Sequence, residues 1–448
     1  MTIPLGLLLA LGTSRGGAPE DLGARVDAVF ADFDRLDHPG CAVGIVRGGE
    51  LVLARGYGAA DPEHRVPFRP DTPSYVGSVA KQFVALLVLL LEAEKKLSIE
   101  DELRKHLPEL PDYGETVRVR HLLHHTSGLR DYLVLAQLRG LVPAEDRLER
   151  GEALDLVFRQ RSLNFAPEER FSYSNTGYLL LSEVVERITG RSFTEVSGER
   201  LLRPLGMDRS RFLETFEGRE TGVARGFRLD DTGALVPVLD RFHRLGPGGA
   251  ATRAEEAASR PVPAPEPAPR SLPDVAGTYV GGRRASFFRL WIDRDGLRGA
   301  YGSGRSFALR ARGSRLFEIA DSPGETLSLV VEGRDRTVAL EYRGSPAGSP
   351  SRFERRDPLT EEEAGAFVGE YRSEELDATW RIRFQGGWLR VLVERPAVRI
   401  LFDELVWLGS DILTDARDTF FSFRREGDGR VNRLVVDDPR ASGIVFER

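Results

Sequence analysis

Apolar positions recur at helical spacing at Leu22, Val26, Val29, Phe30, Phe33 and Leu36, which predicts an amphipathic first helix ending near His38-Pro39-Gly40. The pattern then changes to CAVGIV (41–46) and LVLARGY (51–57), two strands joined by Arg47-Gly48-Gly49-Glu50, where the glycines allow a tight hairpin turn. Mostly helical text runs on to about Gly206, broken by loops at 108–115, at HHTSGLRDY and at NFAPEERFSYSN. The apolar run 84–91 is shorter than the roughly 20 residues needed to cross a bilayer and reads as a buried helix.

From 260 to 273 the chain reads RPVPAPEPAPRSLP, a Pro/Ala-rich segment that favours extended polyproline II and acts as a linker. Beyond it come short alternating strands: SFFRLWI, SLVVE, TVALEY, TWRIRF, LRVLV and RLVVDD. This tail repeats. Gly277-Thr278-Tyr279 returns as Gly369-Glu370-Tyr371 after 92 residues, and Phe353-Glu354-Arg355 as Phe446-Glu447-Arg448 after 93. Two copies of one all-β unit are implied, each with enough strands for a small closed barrel that folds by itself. Trp291 and Trp380, both in alternating strands, are expected in the barrel cores.

Composition narrows the function classes. At 448 residues the chain has room for about three domains of roughly 150 residues each. A net charge of −6 with interspersed cations gives no reason to propose nucleic acid as a partner. The single cysteine, Cys41, allows no internal disulfide and no cysteine-built metal site. The first 20 residues, with an apolar stretch at 3–11 followed by small residues, resemble a signal peptide without its basic front, so a periplasmic or secreted setting is expected.

The candidate chemistry lies in SYVGSVAKQF (74–83). Only four lysines occur in the chain, and one of them, Lys81, stands three positions after Ser78 at a predicted helix start. A serine hydroxyl becomes a nucleophile when a neighbour takes its proton, and i, i+3 positions on a helix share a face. Lys81 could serve as that base, or as a cation supporting another one. The helix start would also favour negative charge developing on a bound carbonyl oxygen. S-x-x-K alone is also what an ordinary serine helix cap looks like. A second element raises its meaning: Tyr173-Ser174-Asn175, ahead of LLLSEVVERITG, offers a phenol that can exchange protons with the serine and an amide that can hold a substrate amide.

GSVAKQF, the segment LSIEDELRKHLPELPDYGETVRVRHLLHHTSGLRDY, FAPEERFSYSNTGYLLLSEVVERITG and LLRPLGM together resemble the serine β-lactamase and penicillin-binding-protein superfamily, in its class C-like branch, over about residues 22–250. The resemblance implies that Ser78 is the acylated nucleophile, Lys81 its proton partner, Tyr173 the general base and Asn175 a substrate ligand. It implies no cofactor and no metal, and a small-molecule or cell-wall peptide substrate. The tail resembles the lipocalin-like barrels appended to such hydrolases.

One family element is missing. The superfamily carries a third motif, K-T-G or H-x-G, on a late strand; here no lysine follows Lys105 and no histidine after Tyr173 begins an H-x-G triplet. Glu220-Thr221-Gly222 has the T-G but falls too early. After Gly246-Pro247-Gly248-Gly249, which looks like a family segment, about a dozen residues remain before the linker, against about 5–6 for a single strand. The expected fold is therefore α+β: a β-lactamase-like domain with an incomplete sheet (21–255), a linker (256–273) and two barrels (274–357 and 361–448). An exposed sheet edge could pair with another chain. His121, His124 and His125 lack a carboxylate pattern for a metal and read as a structural loop. The expected function is hydrolysis of an amide or ester through an acylated serine, weakened by the missing motif. The alternative is a degenerate homologue that binds peptide, glycan or protein.

Overall fold

The computed structural model describes residues 22–212 apart from 142–145 and 147, the short stretches 223–229 and 235–237, and most of 276–448. The expected leader, the proline linker, Glu220-Thr221-Gly222 and the 246–249 segment lie outside the described residues.

Helix α1 (Leu22–Phe30) ends in a 3-10 turn at Ala31–Phe33, earlier than the apolar spacing predicts. The reason is a shortage of cover. Phe30 stacks on Tyr57 at 4.9 Å, and Tyr57 donates to Asp27. Val29 and Phe33, however, remain 58% and 42% exposed. The surface they meet is narrow: β1 (Cys41–Arg47) and β2 (Glu50–Tyr57) pair as a two-stranded hairpin, with Gly48 and Gly49 at φ +62° and +86° as a tight turn requires. Val46, Leu51 and Val52 on this hairpin are exposed too. Two further two-stranded pairs occur, β3 (Ala59–Asp61) with β4 (Val66–Pro67), and β5 (Phe227–Leu229) with β6 (Leu235–Pro237). Among the described residues the first domain thus has no sheet wider than two strands.

Its core is helical. α2 (Lys81–Ala93) buries Val84, Leu87, Val88 and Leu91, and α6 (Asn175–Thr189) buries Leu180, Leu181, Val184 and Val185, each an i, i+3, i+4 stripe. These stripes meet in one cluster with Leu103, Leu107, Val119 and Leu122. Gly177 lets α6 close on α3 (Val119–Leu123), since a Cβ there would stand 3.2 Å from the Leu122 carbonyl oxygen. This packing sets the first residues of α2 and α6, Lys81 and Asn175, side by side.

The tail forms two closed barrels of eight strands, β7 (Gly277–Gly281) to β14 (Ser351–Arg356) and β15 (Gly369–Ser373) to β22 (Ala441–Glu447). The repeat survives as equivalent packing. Tyr279, Phe288 and Phe353 are buried in the first barrel, and Tyr371, Trp380 and Phe446 occupy the same places in the second. Phe288 meets Phe353 at 4.8 Å, and Trp380 meets Phe446 at 4.0 Å. Trp291 departs from expectation. Phe288 and Leu290 take the inward positions of their strand, so Trp291 points out and lines a cavity of about 380 Å³ between the barrels with Trp388 and Trp407.

The barrels differ in independence. The apolar core of the first is built from its own residues, whereas that of the second is continuous with α4 (Tyr132–Leu138) and α5 (Arg150–Phe158) through Val134, Leu135, Leu138 and Leu156. Trp380 Nε1 donates to the Leu138 carbonyl at 2.9 Å, and the buried Arg130 guanidinium reaches Glu375 at 3.1 Å and the Gly443 carbonyl at 3.2 Å. The second barrel is therefore packed onto the helical domain.

Candidate active site

Ser78 sits in a 3-10 turn (Gly77–Ala80) that runs into α2, and not in the α-helix itself. In a 3-10 turn residues i and i+3 eclipse each other, so Ser78 and Lys81 face the same side. Lys81 Nζ lies 3.1 Å from Ser78 Oγ and donates to Asn175 Oδ1 at 2.9 Å. Tyr173 Oη stands 2.7 Å from Ser78 Oγ. The structure therefore brings all four sequence-selected residues into one hydrogen-bonded group, although Ser78 and Tyr173 are 95 residues apart in the chain. Hydroxyl hydrogens rotate, so the contact between Ser78 and Tyr173 can carry a proton in either direction, while Lys81 donates to Ser78.

The lysine is enclosed by more than its two acceptors. Its Nζ lies 4.9 Å from the centre of the Tyr173 ring and 5.6 Å from that of Tyr178, within cation–π range. Burial pushes the Tyr178 phenol up from its ordinary value, and it donates to the Leu123 carbonyl.

Two residues set aside or passed over in the sequence support this group. His125, read as loop structure, holds Tyr173 from both sides: its carbonyl accepts from the Ser172 N–H at 2.9 Å and its Nδ1 from the Ser174 N–H at 3.2 Å. Its ring lies 4.5 Å from the Tyr173 ring. Burial, and then the Lys81 cation, lower its pKa and favour the neutral imidazole that this acceptor role needs. Asp131, fully buried, caps α4 by accepting from Leu133 N and Val134 N on one oxygen; on the other it accepts from Asn175 N at 2.7 Å and Asn175 Nδ2 at 2.8 Å. The Asn175 amide is thereby turned so that its oxygen faces Lys81. The sequence signal for Asp131 is an aspartate just ahead of the apolar run YLVLAQL, an N-cap pattern.

The other two histidines of the loop go elsewhere. His124 is exposed, and His121 is buried against Arg118, accepting from its N–H at 3.1 Å. Among the described residues the one group of side chains spaced as a metal would need is Asp61, Glu63 and His64, where Arg225 already pairs with both carboxylates. The chain's single H-x-G triplet, His38-Pro39-Gly40, leads into β1, and its ring meets Asp37 at 3.2 Å. It stands before the Ser78 motif, not on a late strand. Tyr75, Val76 and Val79 beside Ser78, and Phe171 beside Tyr173, are each more than half exposed.

The Beta-lactamase family model matches residues 26–258, just over half of the chain. Similar proteins include a D-aminopeptidase of Brucella canis, 29% identical over 329 residues that make up 70% of this chain and 60% of that protein. A D-aminopeptidase of Brucella anthropi is 32% identical over 214 residues, 47% of this chain and 39% of its own length. The chain thus spans well under two thirds of these relatives. Among solved structures, the octameric penicillin-binding protein homologue from Pyrococcus abyssi is 18% identical with a TM-score of 0.44, covering 96% of this chain and 100% of that one. The D-amino acid amidase from Ochrobactrum anthropi SV3 complexed with L-phenylalanine amide is 25% identical with a TM-score of 0.42, covering 50% and 62%. Among the described residues no helix is long and apolar enough to cross a membrane.

Proposed function

The chain belongs to the Beta-lactamase family, and from that premise we propose that it hydrolyses an amide or ester through an acyl intermediate on Ser78. The observation that carries this reading is the triangle of Ser78 Oγ with Tyr173 Oη and Lys81 Nζ, closed by the bond from Lys81 to Asn175. Ser78 Oγ attacks the carbonyl carbon while its proton passes to Tyr173 Oη acting as base, with Lys81 Nζ standing 4.9 Å from the centre of that ring. As the tetrahedral adduct collapses, the same proton goes to the leaving amine or alcohol. Water then attacks the acyl-serine, giving its proton to the same base, and the serine leaves with that proton restored. Asn175 positions the substrate amide.

The substrate class follows the relatives' names: a small amide or short peptide with a D-amino acid at the scissile bond, its apolar side against Tyr75, Val76, Val79 and Phe171. Cell-wall peptides fall within this class, and a periplasmic or secreted setting goes with it. The missing third motif is expected to slow the reaction. The alternative, a degenerate binding module, would not require the four polar side chains to remain in bonding contact. Intact mass after incubation with a fluorophosphonate or a penicillin tests the proposal: one adduct, lost in Ser78→Ala, is expected. An unmodified mass with both reagents would overturn it.

A further inference from the structure

The contact between the second barrel and the helical domain falls behind the candidate site, not beside it. Arg440 lies in the turn between β21 (Val431–Asp438) and β22. Its carbonyl accepts from the Asp131 N–H at 2.9 Å, and its guanidinium Nη1 lies 3.7 Å from Asp131 Oδ2. That oxygen is the one holding both the backbone and side-chain amides of Asn175. Asn164 fixes the turn from the helical side, donating to the Arg440 carbonyl at 3.0 Å and accepting from Ser442 N at 2.8 Å.

We propose that Arg440 is a positioning residue for the catalytic group, acting through Asp131 on Asn175 and through Asn175 on Lys81. The inference rests on the hydrolase reading for its effect on rate, but the positioning itself does not. Asp131 is fully buried and accepts four N–H bonds, and the partly exposed Arg440 guanidinium at 3.7 Å, whose charge also acts on the neighbouring Asp438, supplies a cation beside a carboxylate with no access to water. Without it the carboxylate is driven toward solvent or toward other donors. Asn175 then loses the anchor that turns its oxygen to Lys81. Misplacement of a reacting group by about 1 Å can cost roughly 10²-fold in rate. A turn of the barrel thereby acts on the catalytic group, Arg440 lying 309 residues after Asp131 in the chain, and a loosened barrel would lower activity with no change in any residue touching substrate.

The experiment uses the full chain as Arg440→Ala, Arg440→Lys and, as a control at the same interface, Glu375→Gln, which weakens the Arg130 contact and leaves Asp131 alone. Two readouts are taken. Hydrogen exchange of the Asn175 amide, which donates to Asp131, is expected to speed up at least about 10-fold in Arg440→Ala. The interior amides of α6 and the Glu375→Gln variant should keep parental rates, and Arg440→Lys should recover part of the protection. The rate of fluorophosphonate labelling at Ser78 is expected to fall about 10- to 100-fold in Arg440→Ala, beyond any fall in Glu375→Gln. Parental exchange at Asn175 in Arg440→Ala overturns the inference, whether or not labelling occurs. Equal loss in the control variant overturns it too, because the effect would then be general undocking. Absence of labelling in the parent counts against the hydrolase reading alone, and the exchange result still decides this one.

Discussion

Tyr173 Oη lies 2.7 Å from Ser78 Oγ, nearer than Lys81 Nζ at 3.1 Å, and the lysine faces the phenol ring from 4.9 Å. The tyrosine is thus placed as the immediate proton acceptor and the lysine as its electrostatic support. Tyr173→Phe is expected to lower the acylation rate about 10²–10⁴-fold, the usual range for a general base, with folding unchanged. Lys81→Ala should cost at least as much, because it removes the support and the tie to Asn175 together. Labelling rates in these variants and in Ser78→Ala check this. Equal labelling of all three and the parent would place the chemistry elsewhere.

His125 makes the same group sensitive to acid. Its Nδ1 must be unprotonated to accept from Ser174, and burial and Lys81 hold its pKa below the ordinary 6.5. The groups facing it are Lys81, Tyr173, Tyr178 and Asp131. Activity is therefore expected to be full at pH 6.5 and above and to fall only as the pH passes down through the lowered folded-state value, when an imidazolium would lose its acceptor role beside a cation. His125→Asn tests the assignment, since asparagine tolerates the φ of +58° found there. It should lower the rate and weaken this acid limb. An unchanged limb would assign it to another group.

The parts of this site legible in the sequence were those carried by short motifs: Ser78 with Lys81, and Tyr173 with Asn175. Residues that act across distance carried no such mark. Asp131 reads as one helix cap among many, and that its second oxygen would meet Asn175, 44 residues away, depends on how α4 packs beside α6. Arg440 is one arginine in a chain rich in them. The barrels were legible because a repeat doubles every signal, and Tyr279 with Tyr371 marked equivalent core positions. The docking of the second barrel was not, because Leu135 and Leu138 belong to a helix whose amphipathic stripe does not say which surface covers it. Trp291 shows the same limit at the scale of one strand, where a one-residue shift in phase exchanges inside for outside.

That docking predicts unequal behaviour of the two barrels. Leu135, fully buried where α4 meets the second barrel, is expected on truncation to alanine to destabilise helical domain and barrel together by about 2–5 kcal/mol. Leu327→Ala in the first barrel should leave that joint unit's transition unchanged, because the first barrel's apolar cluster is self-contained. Denaturant unfolding followed by fluorescence in a Trp291→Phe background, where Trp380 and the other remaining tryptophans all lie in the second barrel, separates the cases. A Trp380 transition insensitive to Leu135→Ala would show that the barrel is merely tethered.

His121 gives stability its own pH dependence. The residue is 3% exposed, and burial, followed by the Arg120 and Arg118 charges, brings its pKa down to about 4. The unfolded imidazole binds a proton near 6.5, so between 6.5 and about 4 the unfolded state holds more protons than the folded one. Its contribution to stability is thus fully present above pH 6.5 and lost progressively as the pH falls toward 4. Denaturant midpoints at pH 7, 5.5 and 4.5 should fall less steeply in His121→Gln than in the parent. Parallel slopes would mean that other groups control acid unfolding.

The final expectation concerns how much turnover a sequence without the third motif supports. In the family one oxyanion donor is the serine's own N–H and the other comes from the strand at the third motif, a strand for which this sequence supplies no K-T-G or H-x-G downstream of Tyr173. Among the described residues the hairpin of β1 and β2 is a two-stranded sheet, and Val46, Leu51 and Val52 on it lie exposed. Loss of one oxyanion donor typically costs about 10²–10³ in rate, and lack of the motif would weaken substrate binding as well. Acylation of Ser78 by an activated ester or a fluorophosphonate is therefore expected to be measurable, while turnover of a chromogenic cephalosporin is negligible. A strand supplied by a second chain at the hairpin edge would raise the rate with protein concentration. Steady-state assays with the cephalosporin, a nitrophenyl ester and D-alanine nitroanilide across a range of protein concentrations decide this. A kcat/KM of about 10⁴ M⁻¹s⁻¹ or more at every concentration would show that the chain rebuilds the oxyanion site from its own residues, and the argument from the missing motif would fail.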